Sequence, residues 1–170
     1  MTNWLNITCS QYSTLAVKTD GSLWSWGQND GGQLGLNNRT YYSSPKQVGS
    51  LTTWSNGFAS QQNGIKFFKT DGTLWTWGNN SYGELGLGNT TKYSSPKQVG
   101  SLTTWSAVSG KGFFTIALQT NGTLWSWGRN ADGQLGLGNT TWYSSPKQVG
   151  SLTSWVKIAS GYTMTFGTTS

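Results

Sequence analysis

The 170-residue sequence contains no histidine and one cysteine, Cys9. Without imidazole there is no His acid–base catalysis, no Ser-His-Asp or Cys-His nucleophile, and no histidine metal ligand. A lone cysteine excludes an intrachain disulfide and a cysteine zinc site. Only 9% of residues are charged, and the five carboxylates are scattered, so no paired-carboxylate site presents itself. No apolar run approaches the roughly 20 residues of a spanning helix, so no membrane span is expected. The opening stretch MTNWLNITCSQYS has neither a basic n-region nor an apolar h-region, and no Sec signal is expected there. An apolar period of 3.6 persists nowhere, which argues against any long helix. These absences point to a protein that is not an enzyme and needs no cofactor.

What remains is rich in glycine (24 residues), tryptophan (11) and small polar side chains. Low charge combined with 14% aromatics suits a β-rich chain with many tight turns. Eleven Lys/Arg against five Asp/Glu give a net charge of +6, which permits contact with anionic surfaces. The basic residues are scattered singly, however, and form no run of the kind that binds nucleic acid, so nucleic-acid binding is not expected.

The dominant feature is a repeat. TDGSLWSWG at 19–27 returns as TDGTLWTWG at 70–78 and TNGTLWSWG at 120–128. SSPKQVGSLTTW at 43–54 and 94–105 returns as SSPKQVGSLTSW at 144–155, spacings of 51 and then 50 residues. Taken as a single repeat domain, the chain holds units at about 4–53, 54–104 and 105–154 and a partial fourth at 155–170. Each unit reads as four short strands. The first follows the leading tryptophan (Trp4, Trp54, Trp105, Trp155), and the second is the apolar run TLAVKT, IKFFKT or FTIALQT. Asp20-Gly21, Asp71-Gly72 and Asn121-Gly122 are hairpin turns, because both residues tolerate positive φ. LWSWG or LWTWG supplies the third strand and SPKQVG the fourth. Four antiparallel strands per unit of this length is the pattern of a β-propeller blade, so the expected fold class is all-β. A β-solenoid, which usually has shorter repeats, is the alternative. Trp24/Trp26, Trp75/Trp77 and Trp125/Trp127 each share one strand face and are expected in the core between blades.

LWSWGQNDGGQLGL, LWTWGNNSYGELGLG and LWSWGRNADGQLGLG resemble the repeat of the RCC1 (regulator of chromosome condensation) family across nearly the whole chain. The resemblance implies a β-propeller. For the eukaryotic regulator it also implies nucleotide exchange on a small GTPase and chromatin association. That activity depends on an inserted wedge, and no insertion interrupts these units, so no functional residue carries over. The short version YSSPKQVGSLTTW resembles RCC1-type repeats of bacterial and phage proteins, which implies a virion or surface-assembly component.

Several positions are candidates for contact. Tyr41, Lys92 and Trp142 occupy one loop position in the three units, and such variability marks an exposed site for a partner. Lys46, Lys97 and Lys147 recur in the fourth strand; as a cationic rim they would discourage edge pairing or meet an anionic polymer. Asp30, Glu84 and Asp132 fall one per loop, too few for a calcium cage, and are expected to be solvated turn residues. LGLGNTT lacks the lysine of a phosphate loop. The Asn-x-Ser/Thr matches at Asn6, Asn38, Asn79, Asn89, Asn121 and Asn139 are expected by chance in so Asn- and Thr-rich a chain. Finally, propellers close with about four to eight blades. Three units and a fraction leave apolar blade faces open, which calls for a homo-oligomer or another propeller-completing chain. The alternative function is a carbohydrate-binding propeller touching a glycan or host surface through Trp142.

Overall fold

The computed structural model describes residues 3–61 and 64–169. Its regular structure among the described residues is entirely β. Strands β1 (Trp4–Cys9), β2 (Ser13–Lys18), β3 (Leu23–Gly27) and β4 (Tyr42–Gln47) form one antiparallel sheet in chain order. β5 (Trp54–Ala59), β6 (Gly64–Lys69), β7 (Leu74–Gly78) and β8 (Tyr93–Gln98) repeat it, as do β9 (Trp105–Ser109), β10 (Phe114–Gln119), β11 (Leu124–Gly128) and β12 (Tyr143–Gln148). β13 (Trp155–Ser160) and β14 (Thr165–Thr169) form a two-stranded hairpin that corresponds to the first half of a fourth blade. First strands of adjacent blades lie side by side: the Ala59 N–H donates to Thr8 Oγ1 at 3.2 Å, and the Ser109 and Ser160 hydroxyls are 2.8 Å apart. The fourth strands are therefore outermost.

Local chemistry explains the repeated motif. At the first hairpin turn Gly21 has φ 78°, and an added Cβ would lie 2.0 Å from the Thr52 carbonyl oxygen. Asp20 Oδ1 accepts from the Ser22 N–H and hydroxyl, and Ser22 Oγ accepts from Trp24 Nε1 at 2.8 Å. Asp71, Thr73 and Trp75 repeat this chain of bonds, as do Asn121, Thr123 and Trp125. The hydroxyl and N–H of Ser22 hold the Asp20 carboxyl below its ordinary pKa, and those of Thr73 do the same for Asp71.

The long loop after each third strand is held by a buried asparagine. Asn80 Oδ1 accepts from the Leu85 N–H at 2.9 Å, while its Nδ2 donates to the carbonyls of Asn89 and Thr91. Asn29 and Asn130 do the same in the other blades. Asn38, Asn89 and Asn139 cap a turn in that loop, each accepting from the N–H two residues on.

Blades join through tryptophan. One core cluster combines Leu15, Val17, Leu23 and Val48 of the first blade with Trp54, Ile65, Phe67 and Trp77 of the second. Another combines Phe68, Leu74 and Val99 with Trp105, Ala117 and Trp127. Trp77 and Trp127 are fully buried, and each indole crosses the blade boundary to donate to a carbonyl: Trp77 Nε1 to Gln33 at 3.0 Å, Trp127 Nε1 to Glu84 at 3.0 Å. The indole arrives against a glycine: a Cβ at Gly35 or Gly86 would lie 2.9 or 2.7 Å from the indole nitrogen. The two tryptophans of each motif thus differ. Trp75 and Trp125 are half-buried and bonded within their own blade, whereas Trp77 and Trp127 tie one blade to the next.

Replacing Trp127 with Phe removes this indole donor from a filled core and is expected to cost about 2–3 kcal/mol in chemical denaturation. Trp26→Phe, at the half-buried equivalent in the first blade, is expected to cost less than half as much. Equal losses at the two positions would contradict the assignment of the bond.

Candidate functional site

The outer strands carry Lys46, Lys97 and Lys147, each placed over the tyrosine of its own strand at 5.4–5.5 Å (Tyr42, Tyr93 and Tyr143). They recur once per blade and do not converge on one point. Tyr41, Lys92 and Trp142 are all exposed and also lie in separate blades. The Tyr41 hydroxyl accepts from Gln28 Nε2 at 3.5 Å. Trp142 belongs to a larger aromatic group: its ring centroid lies 5.0 Å from that of Tyr82, which in turn lies 4.6 Å from that of Phe113.

Glu84 departs from expectation. It is fully buried rather than solvated, whereas Asp30 and Asp132 are exposed. Its Oε2 accepts the Tyr82 N–H at 2.8 Å, the same backbone bond that Gln33 and Gln134 Oε1 make in the other blades. Oε1 has no partner among the described residues. The opposite charge that acts on it is Lys66, also fully buried but beyond ion-pair distance, whose Nζ donates to the Gly64 carbonyl at 3.4 Å. Burial pushes the Lys66 ammonium down to about 8 against the opposing attraction of Glu84, and burial raises Glu84. The first and third blades place Leu15 and Ile116 where the second has Lys66. No sequence pattern marked this pair, because lysine and glutamate in alternating strand and loop positions ordinarily read as surface residues.

Two open surfaces flank the stacked blades. On the first blade Trp4, Leu5 and Ile7 are exposed, Ile7 by 62%, whereas Val108 and Ile158 at its position in later units are half-buried. Trp26, the equivalent of Trp77 and Trp127, is half-buried. At the other end the hairpin docks as a blade does: Thr165 Oγ1 donates to the Gln134 carbonyl at 3.2 Å, as Thr115 Oγ1 donates to Glu84 at 2.8 Å. Yet Phe166 is 58% exposed where Ile116 is buried, and among the described residues no indole reaches the Gln134 carbonyl as Trp127 reaches that of Glu84. Such contiguous apolar surface is characteristic of an interface.

A sequence model described as the regulator of chromosome condensation (RCC1) repeat matches residues 20–57, 71–118 and 121–167, and a second of the same description matches 5–33 and 105–134. The protein RCC2 of Mus musculus is 35% identical over 94 residues, which are 54% of this chain and 18% of that protein. Among solved structures, human WBSCR16 superposes with a TM-score of 0.80 at 22% identity, over 95% of this chain and 43% of that one. Prp20p of Saccharomyces cerevisiae, described with its binding to Gsp1p and histones, gives 0.80 at 17% identity, over 95% and 42%. The chain thus spans less than half the length of the propellers it matches and less than a fifth of RCC2. No helix among the described residues is long and apolar enough to cross a membrane.

The buried pair makes a pH prediction. Lys66 titrates near 8 when folded and near 10.5 when unfolded, so the unfolded chain binds more protons between those values and stability rises with pH across that window. The double variant Lys66→Leu, Glu84→Gln reproduces the first blade's Leu15 and Gln33. It is expected to fold, to lose that rise, and to match or exceed wild-type stability in urea at pH 7. Glu84→Gln alone leaves the ammonium without its counter-charge and is expected to lose about 2 kcal/mol. A double variant less stable than this single one would contradict the reading.

Proposed function

The chain belongs to the RCC1 repeat family, and on that premise we propose that it is a non-catalytic binding module whose open blade surfaces are covered by a second copy of itself. The observation that carries this is a pair of complementary incomplete bonds. Among the described residues the Trp26 indole meets no carbonyl of another blade, and the Gln134 carbonyl receives the Thr165 hydroxyl but no indole. Within the chain those two groups meet at both boundaries between the full blades. A head-to-tail contact between copies joins a donor surface to an acceptor surface and, when the rotation closes, makes a ring. Lys46, Lys97 and Lys147, with Pro45, Pro96 and Pro146 beside them, guard the outer strands against edge pairing, so that association proceeds around the ring and not sideways. The described binding of Prp20p to Gsp1p and histones supports a protein-contact role for such propellers. A virion or surface assembly is the setting we propose for this chain.

Light scattering on the purified chain is expected to give at least twice the monomer mass. Ile7→Glu and Phe166→Glu, both at exposed positions, are expected to yield monomers with an unchanged far-UV spectrum. A wild-type monomer that binds no hydrophobic dye would refute the proposal.

A further inference from the structure

The units are nearly identical, so departures from the repeat are informative, and three of them meet in space. Trp142 stands where the other blades have Tyr41 and Lys92, Tyr82 where they have Gly31 and Asp132, and Phe113 where the first has Tyr12. Tyr82 comes from the second blade's long loop, and Phe113 and Trp142 come from the third blade, so the three rings form one pile across a blade boundary. The Trp142 ring meets Tyr82 at an interplanar angle of 61° and remains 50% exposed.

The pile is fixed from below. Gly83, next to Tyr82, sits so close to the third blade that a Cβ would lie 2.6 Å from Ser144 Cα. The Arg129 N–H donates to the Phe113 carbonyl at 2.9 Å, and Asn130 Nδ2 donates to the Thr141 carbonyl at 3.1 Å. The first bond sets the Arg129 backbone next to Phe113, and the Arg129 guanidinium pairs with Asp132 at 3.4 Å, both side chains accessible to solvent.

The end of the molecule that carries the pile is itself distinctive. The loops joining first to second and third to fourth strands lie at one end of the blades, and those joining second to third and fourth to first lie at the other. Tyr12, Tyr41, Tyr82, Phe113, Trp142 and Tyr162 all fall in loops of the first kind. Loops of the second kind, such as TDGS and VGSLTT, contain no aromatic residue.

We propose that this end is a carbohydrate-binding face, with Trp142 as the platform for a neutral sugar ring and Arg129–Asp132 as its hydroxyl clamp. A pyranose presents a face of polarised C–H groups that suits the negative face of an indole, and a ring already held by Tyr82 loses little freedom on binding. A sugar hydroxyl both donates and accepts; guanidinium supplies only donors and carboxylate only acceptors, so an adjacent pair matches it. The same pair disfavours a phosphate chain, which would bring its charge against Asp132. Successive aromatics around the end suit an oligosaccharide that passes from blade to blade.

The proposal is independent of self-association, and one set of measurements separates them. Cellohexaose, maltohexaose, chitohexaose and laminarihexaose are titrated into the full chain, followed by tryptophan fluorescence and saturation-transfer NMR. At least one is expected to bind, and Trp142→Lys is expected to weaken that binding about tenfold or more, the size of one lost aromatic contact. Lysine is the second blade's own residue at this position, so the fold and the native mass are expected to be unchanged. Arg129→Gln is expected to weaken binding by severalfold and Trp142→Phe by less than Trp142→Lys. Absence of binding to all four sugars, or binding indifferent to Trp142→Lys, would overturn the assignment. So would tight, salt-sensitive binding of a dT oligonucleotide at Trp142, which would assign the pile to single strands instead.

Discussion

An indole N–H reaching across a blade boundary to a loop carbonyl organises this molecule. For Trp77 and Trp127 that bond lies in a core from which water is excluded, where an unmet donor would cost more than the bond itself contributes. It requires glycine at Gly35 and Gly86, because any Cβ there would occupy the indole's place. It requires the preceding loop to present its carbonyl, which the buried Asn29 and Asn80 arrange by gripping both ends of that loop. The recurring order W-G-x-N, then G-x-L-G, is therefore one device in two halves: the asparagine shapes the socket, and the next unit's tryptophan fills it.

Because each blade supplies both a socket and a plug, the two exposed blade faces differ in kind: one presents the Trp26 indole, the other the Gln134 carbonyl. The hairpin β13–β14 docks with its Thr165 hydroxyl on the Gln134 carbonyl, so this loop presents its carbonyl with no indole bonded to it. The outer strands, lined by lysine and proline, offer no comparable invitation. The proposed association and the proposed ligand contact would fall on different parts of the molecule: blade faces for the first, the aromatic loop end for the second.

Much of this was legible in the sequence. The Asp-Gly and Asn-Gly turns, the alternation in LWSWG and the fixed spacing give four strands per blade, because each signal is local and chemically redundant. The different fates of Trp75 and Trp77 were not legible: both point to one strand face, and only the position of the neighbouring blade decides which is buried. Glu84 was misread for a related reason. In sequence it occupies a glutamine's place in a polar loop, and that place is itself buried, as Gln33 and Gln134 show; Lys66, eighteen residues earlier on a strand where the sister blades carry Leu15 and Ile116, accompanies the charge and does not cause the burial. The aromatic pile was half legible. Variation at Tyr41, Lys92 and Trp142 marked the position, but Tyr82 and Phe113 join it only through the packing of one blade's loop on the next.

Indole hydrogen exchange followed by NMR tests the inter-blade indole bond most directly. Trp77 and Trp127 Nε1–H are predicted to exchange only on global unfolding. Trp26 Nε1–H is predicted to exchange rapidly in a dissociated chain and to become protected when copies associate. Rapid exchange at Trp77 and Trp127, or a Trp26 protected equally in the monomer and the assembly, would contradict it.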